Sequence, residues 1–271
     1  MPSAASQPIP ERIRPHAVPT LHIVVPFYEE AGTLDACLRA VASTPLPSGW
    51  RRTITLVNDG SSAEASERAE SICGQLGVRF LAHAVNRGKG AAIRTGFEAV
   101  LAAADDDDVV IIQDADLEYD PQDYPALLAP ILERRVSAVF GNRWAELPHA
   151  AAADLTFLRR LHRAMNRALT MTSNALSGLR VHDMECCYKL FRASTLRAIM
   201  PALTEDRFGI EPQIAAALGR MRTPVAEVAV RYAPRSFAEG KKIRAKDGVR
   251  ALWVIARERF RAIPAAAGRR A

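Results

Sequence analysis

Between residues 20 and 145, short apolar segments alternate with longer segments that have helical periodicity. The short segments are rich in β-branched residues, which is typical of buried strands, and few residues connect them to the helices. This alternation predicts an α/β fold, with a mostly parallel sheet covered by helices on both faces. The predicted strands cover residues 21–26, 53–57, 78–82, 109–112 and 138–140, and the predicted helices cover residues 32–43, 63–74, 89–103 and 124–133.

The ends of the chain differ from this central part. The Pro-rich residues 1–19 lack apolar periodicity, which predicts a disordered tail, and they contain no apolar stretch of the kind that a secretory signal needs. No run of about 18 apolar residues without a charge occurs, so we predict no membrane-spanning helix. The sequence predicts one domain over residues 20–235 and a basic, amphipathic helical extension over residues 236–271, in a cytoplasmic protein that is soluble or peripheral to a membrane.

Cysteine spacing indicates the cellular compartment of the protein, and net charge indicates the class of its partners. The four cysteines show no C-x-x-C spacing, so we expect reduced thiols of a cytoplasmic protein rather than disulfides or a zinc site. The net charge is +6, with much of the excess near the C-terminus. This excess favours a polyanionic partner, either a phosphate compound or a membrane surface. We expect no nucleic-acid partner, and the sequence leaves a homodimer open.

Two carboxylates directly follow the predicted strand 109–112. Asp114 and Asp116 stand on alternate residues where a strand gives way to a loop, so both can reach one hard cation. Such a cation can bridge the phosphates of a nucleotide. An acidic turn after a core strand is the alternative interpretation, and for an isolated D-x-D it would be the better one.

Polar groups also follow the other predicted strands. They comprise Pro26, Tyr28, Glu29 and Glu30 after the first strand, residues 58–62 after the second, and residues 86–90 after the third. In parallel sheets, ligands bind beyond the carboxyl ends of the strands. Carboxylates suit ring N–H groups and ribose hydroxyls, and cations suit phosphates. Each group alone could be a turn or a helix cap, but their recurrence at one edge predicts a nucleotide site.

These segments resemble the motifs of inverting glycosyltransferase family 2 in order and spacing: V-V-P-F-Y-E-E, V-N-D-G-S-S, N-R-G-K-G-A-A-I-R-T-G-F and Q-D-A-D-L-E-Y-D-P. Over residues 20–260 the chain looks most like the polyprenyl-phosphate glycosyltransferases related to dolichol-phosphate mannose synthase. The resemblance implies a glycosyltransferase A-type fold with a catalytic domain over residues 20–235. It also implies transfer of a hexose, with Mg²⁺ or Mn²⁺, from a nucleotide sugar of the GDP-mannose or UDP-glucose type to a polyprenyl (undecaprenyl or dolichyl) phosphate.

On the donor side, the resemblance implies roles for particular residues. Asp114 and Asp116 would bind the divalent metal and the sugar diphosphate, and Asp116 is also expected to be catalytic. Glu118 stands where the mannose synthases usually have Gln, and we expect it to join the metal ligands as an added anion, which leaves the metal and the donor open. The other residues expected to bind the donor are Pro26, Tyr28, Glu30, Asp59, Lys89, Arg235 and Lys242. We expect Asp59 to face the base as an exposed carboxylate at a strand end that contributes little to the fold.

On the acceptor side, the resemblance implies that Arg143, in F-G-N-R-W, meets the acceptor phosphate and that Asp183 and Glu211 are catalytic. A basic helix follows, and we expect its Arg163 to help bind an anionic acceptor, with a merely solvated basic face as the alternative. A phosphate acceptor is already mostly anionic at neutral pH. A soluble hydroxyl acceptor, such as a metabolite or glycan, would instead need Asp183 or Glu211 as a base. A non-catalytic nucleotide-sugar sensor of the same fold is a further alternative.

The predicted C-terminal helix carries apolar residues on one face and arginines elsewhere. Its apolar face consists of Val249, Leu252, Trp253, Ala256 and Phe260. This pattern predicts a helix that lies at a lipid interface, so that the protein contacts the inner face of the cell membrane peripherally. A helix that packs into the core has the same apolar spacing and is the alternative.

Overall fold

The computed structural model describes residues 18–145, 157–235 and 245–261. The strands are β1 (Thr20–Phe27), β2 (Arg51–Asn58), β3 (Arg79–Ala82), β4 (Val109–Ile112), β5 (Ala138–Asn142), β6 (Lys189–Arg192) and β7 (Val225–Ala229). The helices are α1 (Leu34–Ser43), α2 (Ala63–Leu76), α3 (Lys89–Leu101), α4 (Tyr124–Leu132), α5 (Phe157–Ser177), α6 (Ala193–Ile199), α7 (Ile210–Arg220) and α8 (Ala245–Phe260). The strands form one sheet in the order β3-β2-β1-β4-β6-β5-β7.

The predicted alternation over residues 20–145 is confirmed. β1 to β5 and α1 to α4 occur in the predicted order, and their bounds differ from the predicted ones by at most two residues. β1 pairs in parallel with both β2 and β4, and β2 pairs in parallel with β3. The four residues of β4 are completely buried, as expected for a β-branched run in the middle of a covered sheet.

β6 and β7 complete the sheet, and neither was indicated by the sequence. β6 runs antiparallel between β4 and β5, with Val110 opposite Phe191 and Val139 opposite Leu190. β7 pairs in parallel with β5. Because β6 is antiparallel, its first residue, Lys189, lies at the same edge of the sheet as the carboxyl ends of β4 and β5. The sheet is therefore mostly parallel, as predicted, and chemistry from its antiparallel strand also reaches the ligand edge.

The three helices α5, α7 and α8 pack against one another. α8 buries Ala251, Val254 and Ile255, while Leu252 and Trp253 remain exposed. Within the extension predicted over residues 236–271, only residues 245–261 are described, so the extension is not confirmed as a separate unit. Among the described helices, none combines the length and the apolar character that a membrane span requires. The four cysteines are buried as free thiols, as predicted.

Candidate functional site

The D-A-D segment lies directly beyond β4, at the carboxyl edge of the parallel strands. Asp114 Oδ1 lies 2.8 Å from Nζ of Lys89, the first residue of α3. The same Nζ lies 3.6 Å from Oε1 of Glu211, in the first turn of α7. Burial alone would lower the pKa of Lys89, but the charges of Asp114 and other acidic neighbours raise it well above its usual value, so the side chain stays protonated. Lys89 therefore links a predicted metal ligand to a predicted catalytic carboxylate.

Asp116 pairs with Arg235, which reaches the site from the segment after β7. The guanidinium lies 3.0 Å from Asp116 Oδ2, and it also contacts both carboxyl oxygens of Glu30, at 2.9 and 3.2 Å. Burial, followed by the charges of Asp114 and Glu118, raises the pKa of Asp116 to about 7, although Arg235 opposes this shift. Arg235 therefore offsets only part of the negative charge around Asp116.

The charge balance at this edge bears on the expected metal ion. We call the group of four carboxylates and two cations the donor cluster: Glu30, Asp114, Asp116, Glu118, Lys89 and Arg235. Within the described ranges, no three potential ligands of the His, Cys, Asp and Glu types form a closed metal site. Mg²⁺ often uses only one or two carboxylates and completes its shell with water and substrate phosphates, and Mn²⁺ also prefers oxygen ligands. Asp114 and Asp116 fit such an ion, bound together with the nucleotide.

Glu118 holds the segment that follows β7. Its Oε2 accepts a hydrogen bond from the Tyr232 hydroxyl at 2.8 Å, and its Oε1 accepts one from the Arg235 backbone N–H at 3.0 Å. Its backbone carbonyl accepts a third from the Ala233 N–H at 2.9 Å. With both carboxyl oxygens engaged, Glu118 positions Arg235 at the donor cluster, and its expected contact with the metal stays a prediction.

Asp59 shapes the loop that presents Lys89. Its carboxylate accepts hydrogen bonds from the backbone N–H groups of Arg87 and Gly88, at 3.0 and 2.6 Å, and lies 2.7 Å from Nδ1 of His83. The expectation that Asp59 is an exposed carboxylate at a strand end is wrong, because only 2% of the residue is exposed. Its buried oxygens are occupied by the loop and by His83, which the sequence did not single out. The expected contact of Asp59 with the base stays a prediction.

The loops after β1 and β2 lie side by side at the same edge. Pro26 is buried within β1 beside Val57 of β2, whereas Tyr28 is exposed just beyond the strand. Glu29 has a φ of 51°, in the left-handed region that residues other than glycine rarely adopt. Its Oε1 accepts a hydrogen bond from the Ser62 backbone N–H at 2.6 Å and so joins the two loops. The predicted nucleoside residues are therefore brought together, with Pro26 in a supporting position and Tyr28 at the surface.

Arg143 and Asp183 form a buried ion pair beyond β5. Arg143 donates from Nε and Nη2 to the two carboxyl oxygens of Asp183, both at 2.8 Å, and from its backbone N–H at 3.1 Å. Asn166 of α5 donates a further hydrogen bond at 2.9 Å. Burial would raise the pKa of Asp183, but Arg143 holds it below its usual value, so the carboxylate is ionised at neutral pH. The structure thus gives Asp183 the geometry of a counter-ion, with Asn166 as a partner that the sequence did not reveal.

Two aromatic rings contact the two arginines that are expected to bind the acceptor. The guanidinium of Arg143 lies 5.7 Å from the ring centre of Trp144 and 5.2 Å from that of Tyr232. Arg163 of α5 lies 5.5 Å from the same Trp144 ring. Cation–π contacts of this length help to hold guanidinium groups in place. Arg143 and Arg163 therefore lie on the same ring, although the charge of Arg143 is already paired with Asp183, and their expected contact with the acceptor stays a prediction.

Glu211 joins the donor and acceptor halves through buried charges. Its Oε2 forms an ion pair with Nζ of Lys189, which is completely buried, while its Oε1 faces Lys89. Burial, followed by the charge of Glu211, raises the pKa of Glu185 to about 7.

Lys189 is absent from the predicted set, because its only signal in the sequence is one charge at the start of a short apolar segment. Lys242 lies outside the described residues.

Comparison with known proteins identifies relatives of the chain. Residues 22–199 match the family described as Glycosyl transferase family 2. The undecaprenyl-phosphate 4-deoxy-4-formamido-L-arabinose transferase of Pseudomonas aeruginosa (strain LESB58) is 28% identical over 233 residues, which cover 84% of this chain and 62% of that protein. The protein of the same name from Enterobacter sp. (strain 638) is 28% identical over 229 residues, covering 83% of this chain and 63% of that one. The matched region thus spans less than two-thirds of the length of these relatives.

Solved structures share the fold. Glucosyl-3-phosphoglycerate synthase from Mycobacterium tuberculosis, in complex with Mn²⁺, uridine diphosphate and phosphoglyceric acid, matches with a TM-score of 0.61 at 17% identity, over 91% of this chain and 80% of that one. The same enzyme with Mg²⁺ and uridine diphosphate matches with a TM-score of 0.58 at 17% identity, over 89% of this chain and 79% of that one. These matches confirm the predicted glycosyltransferase A-type fold. Together with the match over residues 22–199, which confirms the predicted resemblance, they show that the chain belongs to glycosyl transferase family 2.

Proposed function

We propose that this protein is an inverting hexosyltransferase that moves a sugar from a nucleotide donor of the GDP-mannose or UDP-glucose type to a polyprenyl phosphate. Family membership supports the reaction class. The names of the relatives support the acceptor class, because undecaprenyl phosphate is part of those names. The site supports both partners, since it combines a carboxylate-rich donor cluster with two arginines beside it.

The observation that carries the choice of acceptor is that both predicted bases are held in ion pairs. Asp183 is completely buried and accepts hydrogen bonds from Arg143 and Asn166. Glu211 is 4% exposed and pairs with Lys189 through Oε2, and its Oε1 is buried without a hydrogen-bond partner. A general base must lie within reach of the proton that it removes, and burial keeps both carboxylates from an incoming hydroxyl. A phosphate acceptor has no such requirement, because its oxygen is already mostly anionic at neutral pH and needs cations nearby.

On the donor side, Asp114 and Asp116 would hold Mg²⁺ or Mn²⁺. When it is bound, this ion would neutralise the negative charge of the departing nucleoside diphosphate. Lys89 stays protonated beside Asp114 and adds a fixed positive charge at the same place. Arg235, held by Glu118, adds another. The loops after β1 and β2 would bind the nucleoside, with Tyr28 at their surface.

Exposed apolar side chains on two neighbouring helices suit contact with a lipid surface. Large apolar side chains are exposed on α8 and on α5: Val249, Leu252, Trp253, Phe260, Leu161 and Met165. We call this the apolar face. Leu161 and Met165 share one face of α5, whereas Arg163, two residues from each of them, lies on another face. Exposed apolar side chains that stand beside arginines on one helix suit a lipid interface, and the Trp253 ring has Arg250 and Arg257 beside it. The apolar face therefore supports peripheral contact with the inner face of the cell membrane.

A donor panel tests the proposal. GDP- and UDP-sugars are incubated with a short-chain polyprenyl phosphate and Mg²⁺ or Mn²⁺, and the product is identified by mass spectrometry. We expect a lipid-linked hexose whose anomeric configuration is opposite to that of the donor. A parallel reaction replaces the lipid phosphate with water-soluble alcohols of sugar and glycerate type. Transfer only to those alcohols would contradict the proposed acceptor.

A soluble hydroxyl acceptor remains the second candidate, and one observation favours it. Glu185 is a carboxyl group whose pKa is raised to about 7 by burial and by Glu211, which is the value that suits a general base at neutral pH. Glu185→Gln distinguishes the two candidates. A phosphate-accepting enzyme should keep its turnover in this variant, whereas a hydroxyl-accepting enzyme that uses Glu185 should lose about a hundredfold or more.

A further inference from the structure

A second cleft lies away from the donor cluster, between the ends of α5 and α7 and the start of β7. Its volume is about 710 Å³. Its lining includes four arginines, which define what we call the basic cleft: Arg180, Arg220, Arg222 and Arg259. Asn166 of α5 contacts Asp183 at the acceptor side, whereas Ser177, at the far end of α5, lines the basic cleft. The axial rise from residue 166 to residue 177 is about 16 Å, so the two sites are separate.

The basic cleft carries positive charge that its own walls do not neutralise. No Asp or Glu belongs to its lining. The side chains of Arg180, Arg222 and Arg259 form no hydrogen bond or ion pair within the described part of the chain. Arg220 pairs through Nη1 with Glu258 at 3.1 Å, yet its Nε and Nη2 are buried without a protein partner. The lining therefore carries three guanidinium charges that no protein group within the described residues neutralises.

Helix dipoles account for part of this charge only. α5 and α7 both end at the cleft, and arginines near helix C-termini are favourable because each end carries about half a negative charge. With the last turn of α8, which carries Arg259, three such ends offset about 1.5 of the three unpaired guanidinium charges. The basic cleft therefore remains positive after its helix ends are counted.

A helix C-terminal turn carries Arg222. Its φ of 53° lies in the left-handed region, as is common for a residue that follows a helix. The backbone N–H groups of Arg222 and Thr223 donate to the carbonyls of Gly219 and Leu218 and close the turn. Here the turn directly follows α7 and places Arg222 in the lining of the basic cleft.

We propose that the basic cleft binds an anionic phosphate group. The planar guanidinium fork matches two phosphate oxygens at once, which a lysine cannot do, and the cationic residues of the lining are all arginines. A volume of about 710 Å³ is within the usual range of small-molecule sites. The phosphate belongs either to a soluble phosphorylated compound or to an anionic lipid headgroup, and the experiment below separates these sources. The inference is independent of the proposed transfer reaction.

Calorimetric titration with inorganic pyrophosphate tests the cleft, with EDTA present so that no metal bridges pyrophosphate to the donor cluster. The wild-type protein is compared with an Arg180→Ala/Arg222→Ala variant and with Arg68→Ala, an exposed arginine of α2 that serves as the control. We expect the double variant to bind at least about tenfold more weakly, since charged hydrogen bonds are lost, and the control to bind like the wild type. Both cleft arginines are exposed, so thermal unfolding should be nearly unchanged.

Sedimentation with vesicles forms the second arm. Vesicles of phosphatidylglycerol are compared with vesicles of phosphatidylcholine for the same three proteins. A loss of pyrophosphate affinity in the double variant supports a soluble phosphate ligand, and a selective loss of phosphatidylglycerol binding supports a lipid headgroup. If the double variant matches Arg68→Ala in both arms, the basic cleft is only a solvated surface and the inference is overturned.

Discussion

Asp183→Asn tests whether Asp183 positions Arg143 or removes a proton during transfer. The substitution keeps the shape of the side chain and removes its charge, so Arg143, whose side chain is only 6% exposed, loses its counter-ion. Breaking a buried ion pair from one side costs about 3–5 kcal/mol. We therefore expect the free energy of unfolding to fall by about 3–5 kcal/mol, a large part of the stability of a typical domain.

The loss in the free energy of unfolding is measured by urea unfolding that is monitored by circular dichroism. It is compared with the loss at a matched ion pair on the surface. Asp35 and Arg39 also form an ion pair, at 2.9 Å, but their side chains are 42% and 55% exposed. Asp35→Asn should cost less than about 1 kcal/mol. An Arg143→Met/Asp183→Asn variant removes both buried charges, so it should be more stable than Asp183→Asn alone. The three variants together separate a buried charge effect from a general effect of substitution.

The pH dependence of stability gives the same test a second readout. The pKa of Asp183 is lowered in the folded protein, so its contribution is present above the ordinary carboxyl value near 4 and is lost as pH falls through the lower folded value. Asp183→Asn should therefore lose more stability relative to the wild type at pH 7 than at the acidic end of the range. If Asp183→Asn unfolds at the wild-type urea concentration and yet loses transfer a hundredfold or more, Asp183 is the base and the argument fails.

Three further predictions concern the metal, a buried carboxyl group and the membrane. Asp116→Ala should lower turnover at least about a hundredfold, since metal-based charge stabilisation is lost, and activity that survives both this substitution and EDTA would remove the metal from the mechanism. The pKa of Glu185 is raised to about 7 from 4.5, so its stabilising contribution is present below about 4.5 and is lost as pH rises through about 7. Glu185→Gln should therefore gain stability relative to the wild type between about pH 5 and pH 8 in urea unfolding, and a constant difference would contradict the assignment. Trp253→Glu should release the protein from anionic vesicles in sedimentation, whereas Leu132→Glu, at an exposed site on α4, should not, and equal retention of both variants would refute the membrane contact.

The part of the fold that the sequence predicted is the part that local periodicity specifies. The strands and helices over residues 20–145 have clear apolar patterns and turn residues between them. β6 has neither a clear apolar pattern nor such turn residues. Two of its four residues, Lys189 at the start and Arg192 at the end, are charged. Lys189 is tolerated at a buried position since Glu211, from a helix more than 20 residues later, pairs with it. A strand whose burial depends on a distant partner gives no periodic signal.

Sequence motifs likewise predicted which residues gather at the site better than they predicted what each residue does. Asp59 was expected to be an exposed group that contributes little to the fold, but its partners are His83 and two backbone N–H groups from the next loop. Burial of Asp59 therefore depends on how two loops meet, which spacing alone cannot show. For the same reason Asp59→Ala should destabilise the loop that presents Lys89 as well as weaken donor binding, because it leaves buried donors unpaired.

The C-terminal helix shows why the lipid-interface and core-packing interpretations could not be separated by spacing. α8 buries Ala251, Val254 and Ile255 against its neighbours and still exposes Leu252 and Trp253, so it has two apolar sides. Glu258 is completely buried on the packed side and is held by Arg220, Arg257 and Gln213, which fixes the helix to the domain. A lipid surface that met the apolar face would therefore orient the whole domain, rather than draw α8 away from it.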